Sequence, residues 1–358
     1  MAGHAPSNHC WQYYVLVPGK ECPLPMGDLL SRVLGSYDLV ISGIRQENLK
    51  AKKGVWFIDT DQGLLVLKKM PVDSVERLRF LLAAVRHLQE RGIKIPPLVP
   101  TRSGEAYVMA DGFYFIVSQA VRGFPPHYER ERELAAMVKA LAAFHKASIG
   151  FVAPPGSKER SHLGKWPESY AGQAVALAEM AGSARLGDFW QKAGPYLRIF
   201  RDRCLQLREE LLQSGYWSWV EKVRQGGGLC HQDFAAGNLV IDACGEINVL
   251  DIDSLTMDIP ARDLRKVMNK VMKKRGSFDA DLGARMLDWY CQVNPLSRDE
   301  LNVVRIDLEF PHIFCGLVGK YHQGRGEDWS EGKFLRKLEE IIAYESSKHA
   351  GLRKALGR

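Results

Sequence analysis

Between Leu229 and Ser254 the chain reads LCHQDFAAGNLVIDACGEINVLDIDS, which sets a His, two Asn and four Asp among short apolar runs. Leu229-Cys230 reads as a strand end, NLVID as a second strand, and INVLD as a third that ends in Asp251. A hairpin through Ala243–Glu246 returns Asp251 to the loop that carries Asp233 and Asn238. Two carboxylates and an amide then converge at strand ends. Phosphoryl transfer needs such a set: one carboxylate to orient a hydroxyl and accept its proton, with an amide oxygen and a second carboxylate to hold Mg²⁺ against ATP phosphates. A metal site built on Cys230 and His231 is disfavoured, because adjacent strand residues point to opposite faces.

The elements that must position these groups can be read from periodicity. WFIDTDQGLLVLKK, ahead of Pro71, is strand–turn–strand with its turn at Asp61-Gln62-Gly63. Val75, Leu78, Leu81, Leu82, Val85 and Leu88 recur at helical spacing, with Asp73 or Ser74 as cap and Gly92 as stop. Tyr107–Val121 is a second hairpin turning at Asp111-Gly112. After Gly123-Phe124-Pro125-Pro126 the pattern becomes helical: Glu129–Lys146, Ser183–Tyr216 with a bend at Gly194-Pro195, Asp263–Arg275, Asp279–Val293, Arg298–Leu317 and Glu331–His349. Pro154–Trp166 is a Pro/Gly/Ser-rich loop. The expectation is two lobes: residues 1–121, a small antiparallel sheet with one long helix, and 122–358, mostly helical.

Composition narrows the function classes. The net charge of +7 comes from scattered Lys and Arg, with no basic arm or aromatic–basic alternation, so a nucleic-acid binder is disfavoured. A modest positive field suits an anionic ligand better than a polycation. Seven Cys without a CxxC point to neither a disulfide framework nor a zinc ribbon. MAGHAPSNHCWQ lacks a signal-peptide pattern, and no apolar run approaches a membrane span. A reduced, cytosolic protein is the default expectation.

The quoted residues carry a resemblance. HQDFAAGN has the His-x-Asp-x₄-Asn spacing of a kinase catalytic loop. With VLDID and DIPARDL it resembles the aminoglycoside phosphotransferase family, which shares the protein-kinase-like fold. HQDFAAGNLVID with VLDIDSLTMDIPARDLRKVM is similar, more narrowly, to spore coat proteins of the CotS family. The resemblance implies a two-lobed α+β fold with Asp233 as catalytic base and Asn238 and Asp251 as Mg²⁺ ligands. It makes His231 structural, and gives Asp263 the roles of bracing the loop and capping the next helix. It also calls for a Lys on the α- and β-phosphates of ATP or GTP. Lys68 in LLVLKKM takes that position, Lys69 pointing to the other face. That Lys should pair with a Glu on the following helix, where the only early candidate is Glu76.

Departures from the pattern keep several readings open. Gly54 stands alone where a GxGxxG loop would lie, Gly226–Gly228 reads as a turn, and Asp251-Ile252-Asp253 replaces DFG, with Asp253 either near the metal or capping a turn. Ser118–Val121 occupies the expected hinge, whose backbone would meet adenine. His145 reads as a structural helix-end histidine and Trp329 as a loop anchor. The readings are an ATP- and Mg²⁺-dependent phosphotransferase acting on a small-molecule hydroxyl, a degenerate kinase-like structural coat protein, and an antibiotic kinase. Partners would be a nucleotide, a small acceptor and other coat proteins, with neither nucleic acid nor membrane. The location would be the mother-cell cytoplasm or the spore coat. ARDLRKVMNKVMKKRG holds seven Lys or Arg against one Asp, and Glu327-Asp328 is the only acidic pair in the nearby loop, so an acidic cleft for aminoglycosides is not expected.

Overall fold

The computed structural model describes residues 27–50, 53–182, 187–326 and 329–356; Cys10, Cys22, Glu327 and Asp328 lie outside them. The chain falls into two compact units. The first holds residues up to 140 together with 151–159 and 233–255, and the second holds 141–150, 160–232 and 256 onward. This division differs from a single boundary after residue 121, because the hairpin that carries Asp251 belongs with the first unit.

In the first unit a short helix α1 (Asp28–Leu34) precedes β1 (Ile41–Lys50), β2 (Lys53–Thr60) and β3 (Gly63–Met70). Helix α2 (Val75–Glu90) follows, then β4 (Leu98–Val99), β5 (Val108–Ala110), β6 (Phe113–Gln119) and the start of α3 (Glu131–Ser148). The strands run antiparallel in the order β1-β2-β3-β6-β4, with β5 also on β6. Local chemistry sets the connections. The β5–β6 turn has φ of 50° at Asp111 and 75° at Gly112, the paired left-handed residues of a tight hairpin. Ser74 accepts from the Arg77 N–H to start α2, and Gly92 at φ 85° ends it. Sequence periodicity missed α1, which is too short to show a period, and β1, whose ISGIRQENLK is too polar to read as a strand.

Strand alternation gives the sheet two different faces. Trp56, Ile58, Leu65, Leu67, Phe115 and Val117 pack with Val33 and Tyr37 on one. Val55, Phe57 and Val66 pack with Val240 and Leu250 on the other. The last two come from a downstream hairpin. Strand β7 (Leu229–Cys230) lies in the second unit, and β8 (Leu239–Ile241) and β9 (Ile247–Val249) form the hairpin in the first. That hairpin is pinned at both strands: Val249 N–H donates to Lys94 O at 2.7 Å, and Ile241 exchanges backbone bonds with Phe124 at 2.8 and 3.1 Å.

The second unit contains the end of α3, then α4 (Trp166–Gly182), α5 (Asp188–Leu212), α6 (Tyr216–Gly226), β7 and β10 (Thr256–Met257). Five further helices follow: α7 (Ala261–Lys273), α8 (Ala280–Cys291), α9 (Arg298–Glu309), α10 (His312–His322) and α11 (Glu331–Leu356). β7 pairs antiparallel with β10. The expected helix over Arg298–Leu317 is two helices. Pro311 cannot continue the ladder and holds Phe310 extended at φ −59°, ψ 134°, so α9 stops and α10 restarts after it. α5 runs through Pro195. α4 and α6 were not legible, the first starting where the Pro154–Trp166 loop was expected to end. Among the described residues no helix is long and apolar enough to cross a membrane.

The hairpin's seat can be tested by stability. A Cβ on Gly123 would overlap the Ile241 carbonyl oxygen and the Val240 side chain, whereas a Cβ on Gly245, at the hairpin tip, meets nothing within 4 Å. Gly123→Ala is expected to destabilise by about 1–3 kcal/mol. Gly245→Ala should cost only the left-handed strain of its φ of 80°, about 1 kcal/mol. Urea denaturation of both variants checks the order; equal midpoints would contradict it.

Candidate active site

Lys68 sits on β3 between β2 and β6, opposite Val55 and Ile116. Its parity is that of Val66, so its side chain emerges on the face that carries the β8–β9 hairpin. Lys69, of opposite parity, places its ammonium 3.3 Å from the centre of the Phe113 ring. Lys68 Nζ lies 2.9 Å from Asp251 Oδ1 and 3.6 Å from Asp253 Oδ1. A second lysine, not singled out in the sequence, joins it: Lys53 Nζ is 2.8 Å from Asp251 Oδ2 and 2.9 Å from Asp253 Oδ2. The signal for Lys53 was the alternation in KGVWF, which puts it on the same face as Val55 and Phe57.

Asp251 follows β9 with φ 55° and ψ 63°, a left-handed backbone that Asp tolerates better than most residues. This turns the chain into a 3₁₀ turn, Ile252–Ser254, and sends both aspartates toward the lysines. Burial favours the protonated acid, but the Lys68 and Lys53 ammoniums outweigh it at Asp251 and hold its carboxyl well below the usual range. At Asp253 burial wins, assisted by the Asp251 charge, and the pKa is raised. One full carboxylate and one weaker acid thus share two ammoniums.

Asp233 and Asn238 lie on the loop before β8. Asn238 Nδ2 donates to Asp233 O at 2.8 Å and to Asp233 Oδ2 at 3.0 Å. Both are acceptors, which fixes the amide orientation and turns Oδ1 the other way. Backbone bonds tighten the loop: Ala235 N–H donates to Asp233 O, and Asn238 N–H to Ala235 O. Tyr128 Oη receives the Ala236 N–H at 3.0 Å. Across the hairpin Leu250 N–H donates to Asn238 O at 2.9 Å, so Asp251 follows directly after the residue bonded to Asn238. Lys68, Asp233, Asn238 and Asp251 all belong to the first unit. Beside Lys68 and Asp251 a narrow cleft is walled by the apolar side chains of Val85, Ile95, Leu98 and Ile116.

His231 and Asp263 are in the second unit. His231 is fully buried. The Asp263 carboxylate receives two successive backbone N–H groups, His231 at 2.6 Å and Gln232 at 2.9 Å. It also meets His145 Nε2 at 3.3 Å, and His145 Nδ1 meets Tyr290 Oη at 2.8 Å. Burial would raise Asp263, yet His145 and the other bonds bring it below its ordinary value. The expected cap on α7 is not formed by Asp263: the N-cap position is Pro260, and Asp263 stands inside the first turn. His145, Cys230 and Asp263 lie within ligand distance of one another, but Asp263 and His145 spend their atoms on these hydrogen bonds.

Glu76 also departs from expectation. It is exposed in the first turn of α2, where its carboxylate bonds its own N–H and Ser74, and its pKa is lowered there. Lys68 is buried and its carboxylate neighbours are aspartates, so the expected Lys68–Glu76 pair is corrected. The buried polar residue of this helical turn is Arg77, whose Nη2 donates to Leu255 O at 2.6 Å and ties α2 to the end of the Asp251 segment.

Comparison with known proteins places this geometry. A model of the phosphotransferase enzyme family matches residues 51–300. Spore coat protein S of Bacillus subtilis is 31% identical over 333 residues, 91% of this chain and 93% of that protein. A homoserine kinase of Methylobacterium nodulans is 23% identical over 88% of each chain. Among solved structures, an aminoglycoside phosphotransferase from Alicyclobacillus acidocaldarius superposes with a TM-score of 0.76 at 18% identity, covering 94% of this chain and 96% of that one. An amicoumacin kinase in complex with AMP-PNP, Ca²⁺ and its antibiotic superposes at 0.56 and 18% identity, covering 85% and 88%. The two-lobed α+β kinase-like fold is thereby shown. The chain belongs to the phosphotransferase enzyme family, in the branch represented by spore coat protein S.

Proposed function

We propose that the protein is a nucleotide- and Mg²⁺-dependent phosphotransferase that phosphorylates a small-molecule hydroxyl, acting in the spore coat or in the cell compartment that builds it. The observation that carries the reading is the 2.9 Å pairing of buried Lys68 with Asp251, in the same unit as the Asp233–Asn238 loop. A solved neighbour holds AMP-PNP and Ca²⁺, which supports nucleotide and divalent metal as ligands. The donor set fits a hard cation: carboxylate oxygens of Asp251 and the amide oxygen of Asn238. When bound, Mg²⁺ would supply charge neutralisation on the phosphates.

The chain's own residues have distinct tasks in this reading. Lys68 binds α- and β-phosphate oxygens and holds the nucleotide beside the apolar cleft. Asn238 steers the Asp233 carboxylate through its Nδ2. Asp233 accepts the hydroxyl proton as the acceptor oxygen bonds the γ-phosphorus and the bond from that phosphorus to the β-phosphate oxygen breaks, releasing ADP. Such steering is mostly positioning, since the protein does little covalent chemistry in phosphoryl transfer.

A second reading is a coat component that keeps the fold without turnover. What favours it is the exposed position of Glu76, whose carboxylate is taken up at its own helix start, together with the coat-protein relative. An antibiotic kinase is the weakest of the three. Aminoglycosides carry several ammonium groups, and the segment Ala261–Gly276, which is α7 and the turn after it, has seven Lys or Arg against one Asp and does not supply the acidic surroundings they need.

Thermal shift with ATP and GTP, each with and without Mg²⁺, is the direct test of the nucleotide. At 100 times the dissociation constant, binding should add about 2.7 kcal/mol of stability. Asp251→Asn is expected to abolish the Mg²⁺-dependent part; equal shifts in variant and parent would remove Asp251 from the site. Asp233→Asn should keep the nucleotide shift and lose about 10²–10⁴ in kcat. Undiminished turnover would refute its role as base, and absence of turnover in the parent with every hydroxyl compound tried would favour the coat-component reading. In a coupled ADP-release assay aminoglycosides should give no saturable signal; a saturable signal lost in Asp233→Asn would revive the antibiotic reading.

A further inference from the structure

Gln232, immediately before Asp233, is held in a conformation that side chains rarely adopt. Its φ is 71°, a left-handed value that is strained for a residue other than Gly. The surroundings over-determine it. Its N–H is fixed by Asp263, and its carbonyl oxygen accepts from Lys266 Nζ at 2.5 Å. Its amide oxygen accepts from Arg262 Nε at 2.7 Å and from Lys266 Nζ at 3.1 Å. The reversed amide would point an NH₂ at two cations, so the orientation is unambiguous. Gln232 is only 6% exposed, and its Nε2 is buried with no protein acceptor. A buried donor left without an acceptor is costly.

A second buried polar atom without a protein partner belongs to the same surroundings. His162, on the loop before α4, has its Nε2 buried and unbonded. After burial, the groups that depress its pKa, to about 4, are Arg262, Arg160, Lys165 and Lys266. The ring is therefore neutral at physiological pH and sits in a positive field. The acids nearby do not reverse this. Asp263 gives its oxygens to the His231 and Gln232 N–H groups and to His145. Asp258 lies 3.3 Å from Arg262, but burial pushes its pKa up to about 7, so it is a weak countercharge at neutral pH. Gln232, His162, Arg262 and Lys266 all lie within the second unit.

We infer that Gln232, His162, Arg262 and Lys266 form an anion subsite within the second unit, which takes a small compound carrying a carboxylate or a phosphate. The anionic oxygen accepts from Gln232 Nε2 in the field of Arg262 and Lys266, which supplies the missing hydrogen bond. The subsite stands independently of the phosphotransferase reading, because all its residues lie in the second unit. This chemistry selects against the polycationic acceptors of antibiotic kinases, since a second cation here would face like charges.

The test uses three probes on one carbon skeleton, glycerol 3-phosphate, glycerate and glycerol, titrated into the full chain by calorimetry, with the Mg²⁺–nucleotide shift measured in the same samples. At least one anionic probe should bind saturably and glycerol should not; which anion binds separates a phosphate site from a carboxylate site. Lys266→Met and Gln232→Leu should each weaken the anion by about 10- to 100-fold, the effect of one charge-assisted hydrogen bond. His162→Phe provides a third variant on a different element, also expected to weaken the anion, should either of the others unfold. Equal binding of all three probes, or anion affinity unchanged in every folded variant, overturns the subsite. So does displacement of the anion by Mg²⁺–ATP with both affinities lost together in Lys266→Met, which would make it a nucleotide phosphate site. If the anion binds as expected and no nucleotide shift exists, the subsite stands and the phosphotransferase reading falls.

Discussion

Two lysines and two aspartates meet on one face of the first unit's sheet, with side chains only 8–20% exposed. Charges so far from water are tolerated only as a neutral set, and removing one member leaves another uncompensated. The set therefore ties three chain segments together: the start of β2 through Lys53, the end of β3 through Lys68, and the turn after β9 through Asp251 and Asp253. It is also poised. In the proposed reading its carboxylates would take a divalent cation and its ammoniums phosphates, so ligands would exchange partners within the set rather than pull ions from an apolar core.

The two faces of the sheet explain how so polar a group is afforded room. One face is closed by α1 and its own apolar side chains. The other is only partly apolar: Val55, Phe57 and Val66 meet Val240 and Leu250 in a small cluster, and the same rows of side chains continue into Lys53 and Lys68. Strand alternation with period 2 therefore does two jobs, since one row supplies both the packing that seats the hairpin and the cations that meet it. The left-handed Asp251 completes the arrangement by ending β9 sharply after Leu250 has packed.

Much of this was legible in the sequence, for identifiable reasons. The turns at Asp61-Gln62-Gly63 and Asp111-Gly112, a Ser-capped α2 and the parity that separates Lys68 from Lys69 are local effects written in a few residues. What was not legible depended on distance or on competition. Lys53 becomes meaningful only once β2 is known to bring it to Asp251. Glu76 has a residue type suited to pairing with Lys68, yet the helix start claims its carboxylate. The break between α9 and α10 was readable from Pro311, but apolar periodicity on both sides masked it. Gln232 looked like an unremarkable spacer between His231 and Asp233, and its backbone conformation has no signature in side-chain type.

The loop around Asp233 is held from both directions along the chain, by two different chemistries. Behind it, one carboxylate, Asp263, collects the N–H groups of the two preceding residues. Ahead of it, one amide, Asn238, grips both the carbonyl and the carboxylate of Asp233 itself. An ionised carboxylate is the right partner for two N–H donors, because it offers two equivalent acceptors and no donor. An amide is the right partner for a carbonyl and a carboxylate, because one NH₂ can donate to both while its oxygen stays available to a cation. Exchanging the two residue types would turn donors toward donors behind Asp233 and acceptors toward acceptors ahead of it. The half-buried carboxylate of Asp233 can thus be positioned without being enclosed, which is what its proposed role toward an incoming hydroxyl would require.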